Sequence, residues 1–225
     1  RAIRHVHSAS VNGYTAVDNY ELMESLLEDE TFNSTHVLDF LVTDDRMRVR
    51  FALCPVAEMT MDGNVYPMME LRNSEIGKSS INIGAGVLRP TCDNGLFSTE
   101  RGATARWAHR GDPLRISRSI TASKESLLAT AMGTKEIYSK ALNTMIDNIK
   151  IDQWIEDMLK DKVTSSDIDT IIDVGLNHST TTEANTVARV VDAMTYGAQM
   201  LTYDKQQEIE HLAFDIMTKG VKEFA

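Results

Sequence analysis

Cysteine, proline and tryptophan are scarce: two Cys, four Pro and two Trp in 225 residues. Two cysteines, Cys54 and Cys92, are too few for a disulfide scaffold, and a pair of reduced thiols is the default expectation. The chain has no C-x-x-C, no H-E-x-x-H and no Walker loop, so no zinc ribbon, metalloprotease or P-loop signature is written in it. No apolar run approaches the ~20 residues of a membrane helix. The opening RAIRHVHSAS has no apolar stretch of a signal peptide, and it lacks an initiator Met, so native residues are expected before Arg1. No carboxylate pair stands out for metal-dependent phosphoryl chemistry. No cofactor, no metal and no membrane partner are expected, and the chain reads as non-catalytic.

What is present is an uneven distribution of charge. The formal net charge is -10. Residues 72–124 nevertheless carry nine Lys or Arg against four Asp or Glu, while residues 1–71 carry five against twelve and residues 125–225 nine against seventeen. A basic island lies between two acidic flanks. Totals hide patches, so the acidic balance does not exclude an anionic partner.

The hydrophobic period changes along the chain. VDNYELMESLLED has the i, i+4 apolar face of a helix, with Asp18 or Asn19 as its cap. HVLDFLV and RMRVRFALCPV switch to period two and read as strands joined at TDD. Met47, Val49 and Phe51 alternate with Arg46, Arg48 and Arg50, which predicts one apolar face and one face of guanidiniums. Asp62-Gly63 is a hairpin signal. VYPMMEL returns as a strand in which Pro67 demands a bulge or an edge. SSINIGAGVLRPTCDNGLF supplies another strand or strand pair, with Asn94-Gly95 as a turn, and ATARWAHR a last strand. Helical periodicity resumes after Arg115. A long, largely unbroken helix is expected from Ser123 to about residue 160, followed by SDIDTIIDVGL, ANTVARVVDAMTYGAQML and a final helix. The fold class is α+β: an amino-terminal helix, an antiparallel sheet of about four to six strands, and a helical carboxyl half. Residues 1–122 form the helix-plus-sheet core, and residues 123–225 a helical region packed on it.

Four pieces occur in a family order. They are GYTAVDNYELMESL, then Asn73-Ser74 with Gly77 and Ser79 or Ser80, then Arg89-Pro90-Thr91-Cys92-Asp93-Asn94-Gly95-Leu96, then Trp107-Ala108-His109-Arg110. Over residues 10–145 the chain resembles the phage and plasmid proteins grouped as domain of unknown function 932. Glu75-Ile76 stands where that family has His-Asp. The element order is remotely similar to Rad52-type single-strand annealing proteins. The resemblance implies a protein of phage or plasmid origin in the host cytoplasm, with a role in DNA replication or recombination and no enzymatic activity to carry over.

Single-stranded DNA is then the expected partner, with self-association into a continuous groove. Arg46, Arg48 and Arg50 are candidates for a phosphate track, or for a solvated strand face paired with Asp44 or Asp45. Arg89, Arg101, Arg106, Arg110, Arg115 and Arg118 extend the basic island. Trp107 is either a stacking platform for a base or partly buried core. His109 sits among these cations without a visible nucleophile partner. Asn73, Cys92 and Asn94 read as turn and packing residues. The acidic, Met-rich helical tail is a candidate surface for a protein partner. The rival expectation is a structural or host-protein-interaction protein with a merely solvated basic island.

Overall fold

The computed structural model describes residues 14–28, 37–52, 65–89, 94–97, 104–146, 151–178 and 185–224. Helix α1 (Asn19–Leu27) leads into strands β1 (Val37–Val42), β2 (Met47–Ala52), β3 (Tyr66–Asn73), β4 (Ile81–Arg89), β5 (Asn94–Phe97) and β6 (Thr104–Trp107). Helices α2 (Pro113–Ala122), α3 (Lys124–Ala141), α4 (Ile151–Leu159), α5 (Ser165–His178), α6 (Val187–Gly197) and α7 (Tyr203–Phe224) follow, with a short 3-10 turn at Ala198–Met200. The fold is α+β: an amino-terminal helix, an antiparallel sheet, then a helical region. Strand order is β1-β2-β3-β4-β5, with β6 paired to β4. No helix among the described residues is long and apolar enough to cross a membrane.

The chain forms two compact units. Described residues through 52, with 66–86 and 104–131, make the first; the described residues at 65 and within 87–97 and 132–224 make the second.

In the first unit, alternation decides the core. Met47, Val49 and Phe51 of β2, Met69 and Leu71 of β3, and Ile81, Ile83 and Ala85 of β4 are buried on one side of the sheet. Leu22 and Leu26 of α1, Ile116 and Ile120 of α2, and Leu127 and Ala131 of α3 join the same cluster. Each fully buried aliphatic or aromatic side chain of this kind contributes about 1.5–3 kcal/mol. The cap of α1 is Asp18, whose side chain accepts from Tyr20 N at 2.8 Å. The β1–β2 hairpin closes at Val42 and Met47. Thr43 holds the turn: its N–H donates to Arg46 O at 2.9 Å and its hydroxyl to Asp45 Oδ1 at 2.8 Å.

The second unit is helical apart from β5 and the end of β4. Ile155 and Leu159 of α4, Ile168 and Ile171 of α5, Val187, Val190, Val191 and Met194 of α6, and Ile209, Phe214, Ile216 and Met217 of α7 share a core. Helices α5 and α6 cross with almost no space between backbones. A Cβ at Gly175 would overlap the Ala193 carbonyl, and one at Gly197 the Ile171 backbone. Tyr138 donates to both carboxylate oxygens of buried Asp192, at 3.0 and 2.8 Å.

Several expectations are corrected. The segment after Arg110 is helical from Pro113, ten residues before the expected start at Ser123; Asp112 caps it by accepting from Leu114 N at 3.0 Å. The single long helix divides after Ala141. Met145 leaves the helical path to form an isolated bridge with Thr186. Asn94 and Gly95 begin β5 instead of making a turn. Pro67 lies inside the sheet order, not on an edge strand. It is the second residue of β3, next to Met68, which pairs with Ala52 of β2. Asp62-Gly63, Cys54 and Cys92 lie outside the described residues.

Candidate nucleic-acid interface

The loop joining β3 to β4, Ser74 to Ser80, builds one wall of a cavity. Ser74 is the brace: its hydroxyl donates to Asp45 O at 2.7 Å and accepts from Lys78 N at 3.1 Å. Its carbonyl accepts from Gly77 N at 3.0 Å, closing a tight turn. Gly77 has φ 72°, the left-handed region that glycine enters without cost. Gly77-Lys78-Ser79 shares a tripeptide with phosphate loops, but strand β4 follows it. The loop therefore lacks the helix N-terminus that phosphate loops use.

The start of the described chain and the end of β6 build the rest. Tyr14 donates its hydroxyl to Glu75 O at 2.6 Å, and Glu75 Oε1 accepts from Asn19 N at 2.8 Å. Asn73 donates to Val17 O and Asn19 Oδ1, each at 2.9 Å. Thr15 N donates to His109 O at 2.8 Å. The Tyr14 and His109 rings stack, with centroids 5.4 Å apart and planes at 21°. The segments around Tyr14, Asn73 and His109 thus meet in one place.

The cavity has a volume of about 260 Å³ and is lined by Tyr14, Gly77 to Ser80, Arg106 and Ala108 to Arg110. Its lining holds three cations, Lys78, Arg106 and Arg110, and no carboxylate. Lys78 Nζ bonds Asp45 Oδ2 at 2.5 Å. That bond, with one from Thr43, holds the Asp45 carboxyl well below the usual range. Arg106, which also lines the cavity, donates from Nε to Ser80 Oγ at 2.8 Å. Arg110 is exposed and has no ion pair among the described residues.

His109 is the unusual member. It is only 6% exposed, and neither ring nitrogen makes a hydrogen bond of good geometry among the described residues. Burial pushes its pKa down. Backbone groups of Thr15 and Ser79 pull weakly the other way without forming well-aligned bonds to the ring.

The remaining candidates fall in different settings. Arg50 is corrected outright: it is 2% exposed and bonds Glu70 Oε2 at 2.7 Å, so it offers nothing to a strand in solvent. Arg48 is half-buried and pairs with Asp39 at 2.6 Å; Arg46 lies beside Asp45 at 3.4 Å, one residue before β2 begins. These three form no free track, because the acids of β1, β3 and the turn reach them first. Trp107 is half-buried against the core of the first unit and does not line the cavity, the core alternative for that residue. Arg115 and Arg118 are exposed on α2, which starts three residues after Arg110. Arg101 lies outside the described residues, and of Arg89 only its place at the end of β4 is described. Sequence reasoning missed Tyr14, Lys78, Ser79 and Ser80. The available signal was a glycine turn followed by Lys and two Ser between two strands.

Among the described residues no group of three or more His, Cys, Asp or Glu could hold a metal ion. Comparison with family models, with curated proteins and with solved structures finds no match.

Proposed function

We propose that this chain binds single-stranded DNA and holds it by its phosphates at the Lys78–Arg106–Arg110 cavity. One observation carries the reading: the guanidiniums of Arg106 and Arg110 and two serine hydroxyls converge, beside the Lys78–Asp45 pair, on a cavity whose lining contains no acid. Guanidinium forks and hydroxyls are what phosphate oxygens accept from. Arg115 and Arg118 on α2 offer further exposed charge along the chain from Arg110. An annealing role in phage or plasmid replication or recombination belongs to the same proposal. So does self-association, supported by β1, which ends the strand order and exposes Phe40 and Val42.

The test is fluorescence anisotropy of a labelled single strand of ~30 nucleotides at about 50 and 200 mM salt. Binding weakens steeply with salt, and Arg106→Ala with Arg110→Ala lowers the salt slope by about 1.4, near 0.7 for each lost contact. Arg48→Ala leaves the slope unchanged, because Asp39 already occupies that guanidinium. Absence of binding at low salt overturns the proposal. It would favour the rival reading, a structural or host-protein-interaction protein, for which the ion pairing of Arg46, Arg48 and Arg50 speaks.

A further inference from the structure

We infer that the cavity receives a phosphate monoester, the terminal phosphate of a strand or a nucleotide, and that His109 donates to one of its oxygens. This rests on the reading of the cavity as a phosphate site and names the kind of phosphate it takes.

The first argument is the unpartnered imidazole. A neutral imidazole always has one N–H and one lone pair to satisfy. Buried polar groups in folded proteins are nearly always hydrogen-bonded, and each exception asks for a reason. At His109 the stacked Tyr14 ring takes one face, leaving the in-plane nitrogens to be satisfied. The Tyr14 hydroxyl is committed to Glu75 O and cannot serve them. His109 also lies on the cavity wall, so an atom placed in the cavity can serve a ring nitrogen for which the backbone of Thr15 and Ser79 provides no well-aligned bond.

The second argument is charge. Every ionic group lining the cavity is positive, and Ser79 and Ser80 add hydroxyls. The two acids beside the lining are engaged elsewhere: Asp45 is bound to Lys78, and Glu75 Oε1 accepts from Asn19 N. An occupant that satisfies both the imidazole and the cations is an oxyanion.

The third argument separates monoester from diester. An internal phosphodiester carries one charge, two free oxygens and a sugar on either side. The two sugars hold it at the rim, near Arg106 and Arg110. A monoester carries about -1.5 to -2 charges at pH 7 and three free oxygens on one substituent. One oxygen can reach a donor buried as deeply as His109 while the others stay with the cations.

The experiment titrates the full chain with thymidine 5′-monophosphate, with thymidine, and with short strands carrying a 5′-phosphate, a 3′-phosphate or hydroxyl ends. The monophosphate binds and thymidine does not. At least one phosphorylated end binds about tenfold tighter than hydroxyl ends, the scale of one hydrogen bond to a charged group. His109→Phe abolishes that preference and His109→Gln, which keeps a donor, retains part of it. The wild-type comparison alone decides the inference should either variant fail to fold. Equal affinity for phosphorylated and hydroxyl-ended strands overturns the inference and leaves strand binding standing. Binding of the monophosphate without any strand binding upholds it and sinks the single-stranded DNA reading. Binding of neither overturns both.

Discussion

Arg50 of β2 and Glu70 of β3 face each other across neighbouring strands, Nε to Oε2 at 2.7 Å, each residue 2% exposed. Arg72 bonds the other carboxylate oxygen. Burial alone would push the Glu70 carboxyl up. The guanidiniums of Arg72 and Arg50, with Arg48 beyond, outweigh it and hold the carboxyl below its ordinary value. Glu70→Gln therefore leaves a buried guanidinium without its counterion, at a cost of about 3–5 kcal/mol. Urea unfolding followed by tryptophan fluorescence measures this. The double change Arg50→Met with Glu70→Leu recovers most of the loss, since an apolar pair needs no compensation. A cost under about 1 kcal/mol for the single change would show that solvent reaches the pair.

Glu70 also sets an acid limit. Its folded pKa is depressed, so its contribution is fully present above the unfolded value of about 4.3 and is lost as pH falls through the lower folded value. Unfolding midpoints of the wild type should drop steeply below about pH 4. In Glu70→Gln the same profile should be flatter there, and parallel curves would remove Glu70 as the cause.

His109 acts in a different window and with the same sign of slope. Burial disfavours its charged form, so the folded ring binds fewer protons than the unfolded one between its lowered pKa and about 6.5. Lys78, Arg106 and Arg110 line the same cavity as the ring and are themselves cationic; Tyr14 stacks on it, and Glu75 lies behind Tyr14. Acidification from pH 7.5 to 5.5 therefore costs stability, at up to about 1.4 kcal/mol per pH unit. His109→Phe should lose that part of the pH dependence. An unchanged slope in the variant would assign the effect to another group.

Much of the fold follows from short-range pattern, and the parts that do not share a physical reason. Met47, Val49 and Phe51 alternate, and that alternation alone predicts β2 and its buried face. The fate of Arg50 on the other face depends on Glu70, twenty residues away, and on a register that no local pattern prints. The helix α2 was legible in principle. Asp112-Pro113 is a cap followed by a proline where a helix tolerates one, but the Arg- and Ser-rich turns after it mask the apolar stripe of Ile116 and Ile120. The break after Ala141 rests on the bridge from Met145 to Thr186, which only the folded chain supplies. The cavity was half legible. Arg106, His109 and Arg110 stand out as a basic run, whereas Lys78, Ser79 and Ser80 are ordinary loop residues until Ser74 and Gly77 turn them inward.

Two glycines in helices should respond to the same substitution in opposite directions. Gly175 of α5 lies against the Ala193 backbone of α6, and a Cβ there meets a carbonyl that no rotamer change can move. Gly175→Ala must push the two helices apart, at a cost of about 1–3 kcal/mol or more. Gly133 lies inside α3 with nothing within 4 Å of its would-be Cβ and without a positive φ. Replacing it with Ala only removes backbone freedom from the unfolded chain, a gain of about 0.5–1 kcal/mol. Differential scanning calorimetry of the two variants should show one melting temperature falling and the other rising. The second result carries the more information, because a fall with Gly133→Ala would show that the glycine serves a local backbone conformation that alanine resists, and a rise that α3 merely tolerates it.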